Sequence, residues 1–149
     1  MSVTFRPCVL IPCYNHGAMM ASVLARLAPF DLPCLVVDDG SDETTRRTLE
    51  ALAADRPQIT LLRLAENSGK GAAVKSGLFY AAEHGYSHVL QVDADAQHQL
   101  EDTAKLLAAA AQQPDAVICG WPQYGSDAPK ARLYGRKITD FWNMLHTFS

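Results

Sequence analysis

Val36-Val37-Asp38-Asp39-Gly40-Ser41 closes a short apolar run that begins at Cys34, and the way that run ends decides the fold. A β-rich stretch that stops at two carboxylates, a glycine and a serine reads as a buried strand, then a tight turn, then a helix start. Asp, Gly and Ser favour those last two positions. Ser41 or Asp42 is placed to cap the helix that follows. Outward from here the same form recurs, with apolar runs at Cys8–Ile11, Ile59–Leu64, His88–Val92 and Ala116–Cys119. Between the runs lie stretches with helical spacing: Val23, Leu24 and Leu27; Leu49 and Leu52; Val74, Leu78 and Ala81-Ala82; Leu100, Leu106 and Leu107. Gly85 ends the third of these helices. Strands that are apolar throughout and alternate with helices predict an α/β domain. Its sheet is doubly wound and mostly parallel, with helices on both faces.

Composition narrows the class. The chain has 149 residues, 48% hydrophobic and 19% charged, which suits one soluble globular domain. A formal net charge of −3 leaves no basic excess to neutralise phosphates, so no nucleic-acid partner is expected. No opening segment joins a basic start to a long apolar run, and the sequence therefore reads as having neither a signal peptide nor a membrane span. The four cysteines show no CxxC spacing. Cys8, Cys34 and Cys119 lie in or beside apolar runs, as buried free thiols do, and the expected compartment is a reducing cytoplasm.

Ligands of open α/β sheets bind at the carboxyl ends of the strands. Four such ends carry polar groups: Pro12-Cys13-Tyr14-Asn15-His16-Gly17, Asp38-Asp39-Gly40-Ser41, Asn67-Ser68-Gly69-Lys70-Gly71, and Asp93-Ala94-Asp95-Ala96-Gln97-His98. Asp93 and Asp95 leave a strand one residue apart and would repel each other without a cation. Oxygen ligands of this kind suit Mg²⁺ or Mn²⁺, with Gln97 able to add a neutral oxygen. The plainer reading is a helix cap beside a solvated carboxylate. For Asp38-Asp39 the turn needs one Asp, leaving the second free for ribose hydroxyls or a base N–H. Lys70, between two glycines, can bring charge and backbone N–H groups to a ligand at a helix N-terminus, or can simply begin a surface helix. The loop is not a Walker A motif, because the first glycine of that pattern would fall at Leu64, and Val74 replaces the last glycine of GxGxxG.

Taken in order, Val9-Leu10-Ile11-Pro12-Cys13-Tyr14-Asn15, Val36-Val37-Asp38-Asp39-Gly40-Ser41, Asn67-Ser68-Gly69-Lys70-Gly71 and Val92-Asp93-Ala94-Asp95-Ala96-Gln97-His98 resemble the family 2 glycosyltransferases. The spacing is most like that of the dolichyl- or polyprenyl-phosphate sugar synthase branch, over about residues 7 to 120. The resemblance implies a GT-A fold, a nucleoside-diphosphate sugar donor (UDP- or GDP-linked), inversion, and a divalent metal. It implies that Pro12, Tyr14, Val37 and Asp39 hold the nucleoside, Asp93 and Ala94 the ribose and phosphate, and Asp95 with Gln97 the metal. The acceptor would be a lipid phosphate or a glycan, which places the chain in the cytoplasm or at the cytoplasmic face of a membrane. His16 departs from the Glu common in that branch, and Trp121-Pro122 from its Ser/Thr-Arg pair.

No general base stands out; His98 is the nearest candidate, and an ionised lipid phosphate would need none. Lys130, Arg132, Arg136 and Lys137 read as a phosphate clamp or as a solvated helix face. Residues 1–120 are expected to form the nucleotide-sugar-binding core, and 121–149 the start of an acceptor-side region. There Phe141, Trp142, Leu145 and Phe148 make an apolar stripe with nothing later in sequence to cover it. It suits a truncated chain, a homo-oligomer contact or a membrane surface. Three other readings stay open: a haloacid-dehalogenase-like phosphatase using D-x-D, a nicotinamide-dependent oxidoreductase using the Gly69-Lys70-Gly71 turn, and a non-catalytic nucleotide-sugar-binding fragment.

Overall fold

The structure, a computed structural model, describes residues 4–95 and 102–116. Four strands, β1 (Pro7–Cys13), β2 (Cys34–Asp38), β3 (Ile59–Arg63) and β4 (His88–Gln91), form a parallel sheet in the order β3-β2-β1-β4. Helices α1 (Gly17–Leu27), α2 (Glu43–Asp55), α3 (Lys70–Glu83) and α4 (Thr103–Gln112) follow the strands in turn. The α/β reading and the parallel sheet are as expected. The fifth apolar run, beyond Ala116, lies outside the described residues, as do Leu100 and everything from 117 onward.

Both faces of the sheet are covered, which is why the central strands are apolar throughout. On one face Val9, Ile11, Cys13 and Val36 pack with Met20, Val23, Leu24 and Leu27 of α1 and Leu49 of α2. On the other, Leu10, Leu35 and Val37 pack with Ala73 of α3. Strand residues alternate between these two cores because successive side chains leave a strand on opposite faces. Asp42 caps α2, its side chain accepting from Thr45 N at 2.8 Å.

The apolar stripe of α3 differs from the expectation. Its buried line is Ala73, Gly77 and Ala81, whereas Leu78 is 46% exposed and Ala82 lies outside. The reason is close approach: a Cβ on Gly77 would fall 2.2 Å from Leu10 Cδ1. A helix that near the sheet presents small residues inward, and periodicity weighted by large side chains picks the neighbouring line.

Sheet order fixes where a ligand can sit. The chain runs outward from β1 through β2 to β3, then crosses back to place β4 on the other side of β1. Beyond the carboxyl ends of β1 and β4 the connections part to opposite directions, and such a switch point leaves a crevice.

Candidate functional site

A cleft of about 330 Å³ opens at that switch point. Pro12, Cys13, Tyr14 and His16 line it from the end of β1, Asp39 from just beyond β2, Asn67 and Gly69 from the loop into α3, Lys70 and Ala73 from the first turn of α3, and Asp93, Ala94 and Asp95 from beyond the end of β4. The four polar strand ends singled out in the sequence thus converge. Of the residues expected to meet a nucleotide or metal, Pro12, Tyr14, Asp39, Lys70, Asp93, Ala94 and Asp95 line the cleft. Val37 does not: it is fully buried in the core beneath α3, where it supports the strand end. Gln97 and His98 lie outside the described residues, as do Trp121, Pro122 and the basic residues from Lys130 on.

The Asp38-to-Ser41 turn organises the cleft, and its two carboxylates have separate work. Asp38 is fully buried; its Oδ1 accepts from Ser41 N at 2.9 Å, and its Oδ2 accepts from Arg63 Nη1. Arg63 Nη2 also donates to the Ser41 carbonyl at 3.1 Å, so one guanidinium grips the turn twice. Sheet register produces this pair, since Asp38 lies directly beside Arg63 on β3. Asp39 points into the cleft, but it is not free as the sequence suggests. Its two oxygens accept from Ser68 N at 2.8 Å and Gly69 N at 3.0 Å, pinning the loop that begins α3. Each oxygen keeps a second lone pair for a ligand donor. Gly40 makes the approach feasible: its φ is +68°, and a Cβ there would fall 2.4 Å from the Asn67 nitrogen.

Asn15 latches the first loop to the second. Its φ of 55° is left-handed, a conformation Asn tolerates. Its N–H donates to Ser41 Oγ at 3.0 Å, and its side-chain oxygen accepts from Asp42 N at 2.9 Å. His16 Nδ1–H donates to the Tyr14 carbonyl at 2.7 Å, which directs Nε2 outward. Tyr14 is 44% exposed on the cleft wall, an aromatic face of the kind on which bases stack. Cys13 is buried at the cleft floor, and burial raises its thiol above the usual value against a lowering hydrogen bond from the His16 backbone. In the sequence Cys13, Asn15 and His16 stand out only as part of the first polar strand end, and Arg63 has no site role there; the register beside Asp38 is the signal that would have found it.

On the opposite wall, Lys70 Nζ lies 2.6 Å from Asp93 Oδ1. Asp93 and Asp95 supply hard oxygen donors from one strand end, the donor chemistry of Mg²⁺ and Mn²⁺. Among the described residues no group of three or more His, Cys, Asp or Glu stands together as a metal site. Two carboxylates of this chemistry would hold such an ion together with oxygens from phosphate or water. They fit that role.

A parallel sheet in this order, with acidic loops meeting at its switch point, is the GT-A arrangement. The model of the family described as glycosyl transferase family 2 matches residues 8–148, and the chain belongs to that family. It is 33% identical to a polyprenol monophosphomannose synthase of Mycolicibacterium smegmatis over 77% of this chain and 44% of that one. An undecaprenyl-phosphate mannosyltransferase of Micrococcus luteus is 30% identical over 91% of this chain and 63% of its own. These relatives place the chain in the polyprenyl-phosphate sugar synthase branch. A mannosyltransferase of Pyrobaculum calidifontis, solved with GDP-Man and Mn²⁺, superposes with a TM-score of 0.58 at 26% identity, over 80% of this chain and 35% of that one. The chain thus spans between about a third and two-thirds of the length of these proteins. Family membership sets aside the phosphatase and oxidoreductase readings.

Proposed function

We propose that the chain carries the donor site of a glycosyltransferase that moves a sugar from a nucleoside diphosphate to a polyprenyl-phosphate acceptor, with inversion and with Mg²⁺ or Mn²⁺ bound. The observation that carries this reading is the cleft at the switch point, where an aromatic wall, an acidic turn and a second acidic pair face one another. Tyr14 stacks on the base, and Asp39 accepts from the base or ribose with its remaining lone pairs. Pro12 and Ala94 leave bare apolar surface for the nucleoside. The first turn of α3 offers N–H groups with no intrahelical acceptor, and Lys70 adds a charge, so the diphosphate lies at that helix end. Asp93 and Asp95 hold the metal, which when bound would neutralise charge on the leaving diphosphate.

The transfer is a displacement at the anomeric carbon. An acceptor phosphate oxygen forms the new bond as the bond to the diphosphate oxygen breaks, and the nucleoside diphosphate leaves with the electron pair. A lipid phosphate is already ionised, so the step needs no general base. The names of the relatives, two of which act on polyprenol or undecaprenyl phosphates, support this acceptor class. Residues 121–149 would begin the acceptor side, at a membrane surface where such a lipid lies; among the described residues no helix is long and apolar enough to cross a membrane.

The test is transfer of labelled sugar from GDP- or UDP-sugars to a short polyprenyl phosphate, followed by solvent extraction. Label should enter the lipid with Mn²⁺ and fail to do so with EDTA. Release of inorganic phosphate without labelled lipid would contradict the reading.

A further inference from the structure

Ser41 is 5% exposed, and its polar atoms reach the ends of three strands. Its N–H donates to Asp38 Oδ1 at 2.9 Å, its carbonyl accepts from Arg63 Nη2 at 3.1 Å, and its Oγ accepts from Asn15 N at 3.0 Å. A second bond crosses the same gap, from Asp42 N to Asn15 Oδ1 at 2.9 Å. Asn15 and Ser41 stand behind the cleft wall, close in sequence to side chains that form it: Tyr14 and His16 flank Asn15, and Asp39 lies two residues before Ser41. The turn and the helix after it do not depend on the crossing bonds, since Asp38 closes the turn through Ser41 N and Asp42 caps α2 through Thr45 N. What the bonds to Asn15 add is a fixed placement of the first loop against the turn, with Asn15 held between them at a left-handed φ of 55°.

We propose that Ser41, with Asn15 as its partner, is a positioning residue for the donor's nucleoside: it sets the separation of the Tyr14 ring and the Asp39 carboxylate before a ligand arrives. This rests on the donor-site reading above and deepens it. A nucleoside that stacks on one group and hydrogen-bonds the other makes both contacts well at one separation, so that separation must be built in. Asp39 is already fixed, its oxygens by the Ser68 and Gly69 amides and its own N–H by the Cys13 carbonyl at 2.9 Å. Tyr14 stands one residue beyond that carbonyl and is 44% exposed, and the bonds to Ser41 and Asp42 extend the restraint to it. With either bond gone the first loop samples other placements, and affinity falls by the fraction of time the competent one is lost. One hydrogen bond in such a place is worth about a factor of five in that fraction. The wall where Lys70 meets Asp93 is built from other elements, α3 and the end of β4, so a ligand without a nucleoside should not feel the loss.

Calorimetry of the 149-residue chain would compare GMP, UMP and inorganic diphosphate in one Mn²⁺ buffer. Asn15→Gly keeps the left-handed backbone and the N–H to Ser41 but removes the acceptor of Asp42 N. Ser41→Ala removes the acceptor of Asn15 N. Each should weaken the mononucleotide that binds about fivefold at unchanged stoichiometry, and leave inorganic diphosphate within about twofold. Asn15→Asp keeps the acceptor oxygen and should bind as the unsubstituted chain does. A residue that merely supports the fold would lower the fraction of active chain, or weaken every ligand alike. Unchanged mononucleotide affinity in Asn15→Gly, at an exposed position where folding is least at risk, overturns the positioning role and leaves the donor site standing. An equal loss for inorganic diphosphate overturns it as well. Absence of mononucleotide binding in every form overturns the donor reading and this proposal together.

Discussion

Arg63→Met removes the partner of a buried carboxylate, and the structure sets the size of the effect. Asp38 has a side chain 1% exposed, while that of Arg63 is 38% exposed. Breaking a fully buried pair costs about 3–5 kcal/mol, because the remaining charge is left without compensation. Water reaches the open side of Arg63, so the expected loss here is nearer to about 2–3 kcal/mol. Asp38 keeps its bond from Ser41 N, which tempers the loss further but does not cancel it. Asp38→Asn removes the charge and keeps an acceptor, and should cost about 1 kcal/mol. The double variant should be less destabilised than the sum of the two, by about 1 kcal/mol or more, since Arg63→Met does little harm once no charge is left behind. Urea unfolding of the four forms gives the cycle. Single effects that add to within about 0.5 kcal/mol would refute the argument that Arg63 exists to neutralise the turn.

Other outcomes follow from named contacts. Gly77→Ala gains about 1 kcal/mol of helix propensity but forces Leu10 aside at about 1–3 kcal/mol, so a net loss is expected; a raised Tm would contradict the close packing of α3. Burial pushes the Cys8 and Cys34 thiols up from 9.0 to about 11, with the Arg6 and Arg56 charges opposing it in turn. Their folded values lie above the unfolded one, so this stability is complete below about pH 9 and is lost as pH rises towards 11. Rapid alkylation of either thiol in the folded chain at pH 8 would contradict it. Asp39→Ala frees the Ser68 and Gly69 amides and should weaken nucleoside binding even without diphosphate, whereas Asp95→Ala should remove mainly the metal's contribution. Loss of the metal effect alone in both variants would move Asp39 into the cation site.

The sheet was legible because its strands are covered on both faces, which leaves Cys8–Ile11 and Cys34–Val37 continuously apolar. Polar residues at the strand ends then marked the cleft, and the motif spacing marked the family. What the sequence hid is contact across elements. Nothing near Asp38 in the chain points to Arg63, which lies opposite only through parallel register. Asp39 looks free because its donors, Ser68 and Gly69, are distant in sequence and are backbone groups with no side-chain signature. The inner face of α3 was misplaced for the converse reason: Gly77 and the alanines carry too little hydrophobic weight to outrank Leu78, although closeness to Leu10 demands them.

Calorimetric titration of GDP and UDP into the chain, with Mn²⁺ and then with EDTA, tests the central claim most directly. The account predicts that one of the two nucleotides binds with Mn²⁺, that EDTA weakens it at least about tenfold, and that Asp95→Asn weakens it to the same degree without EDTA. Equal affinity with and without metal, or an Asp95→Asn chain that binds as the unsubstituted one does, would contradict the assignment of this cleft as a metal-dependent donor site.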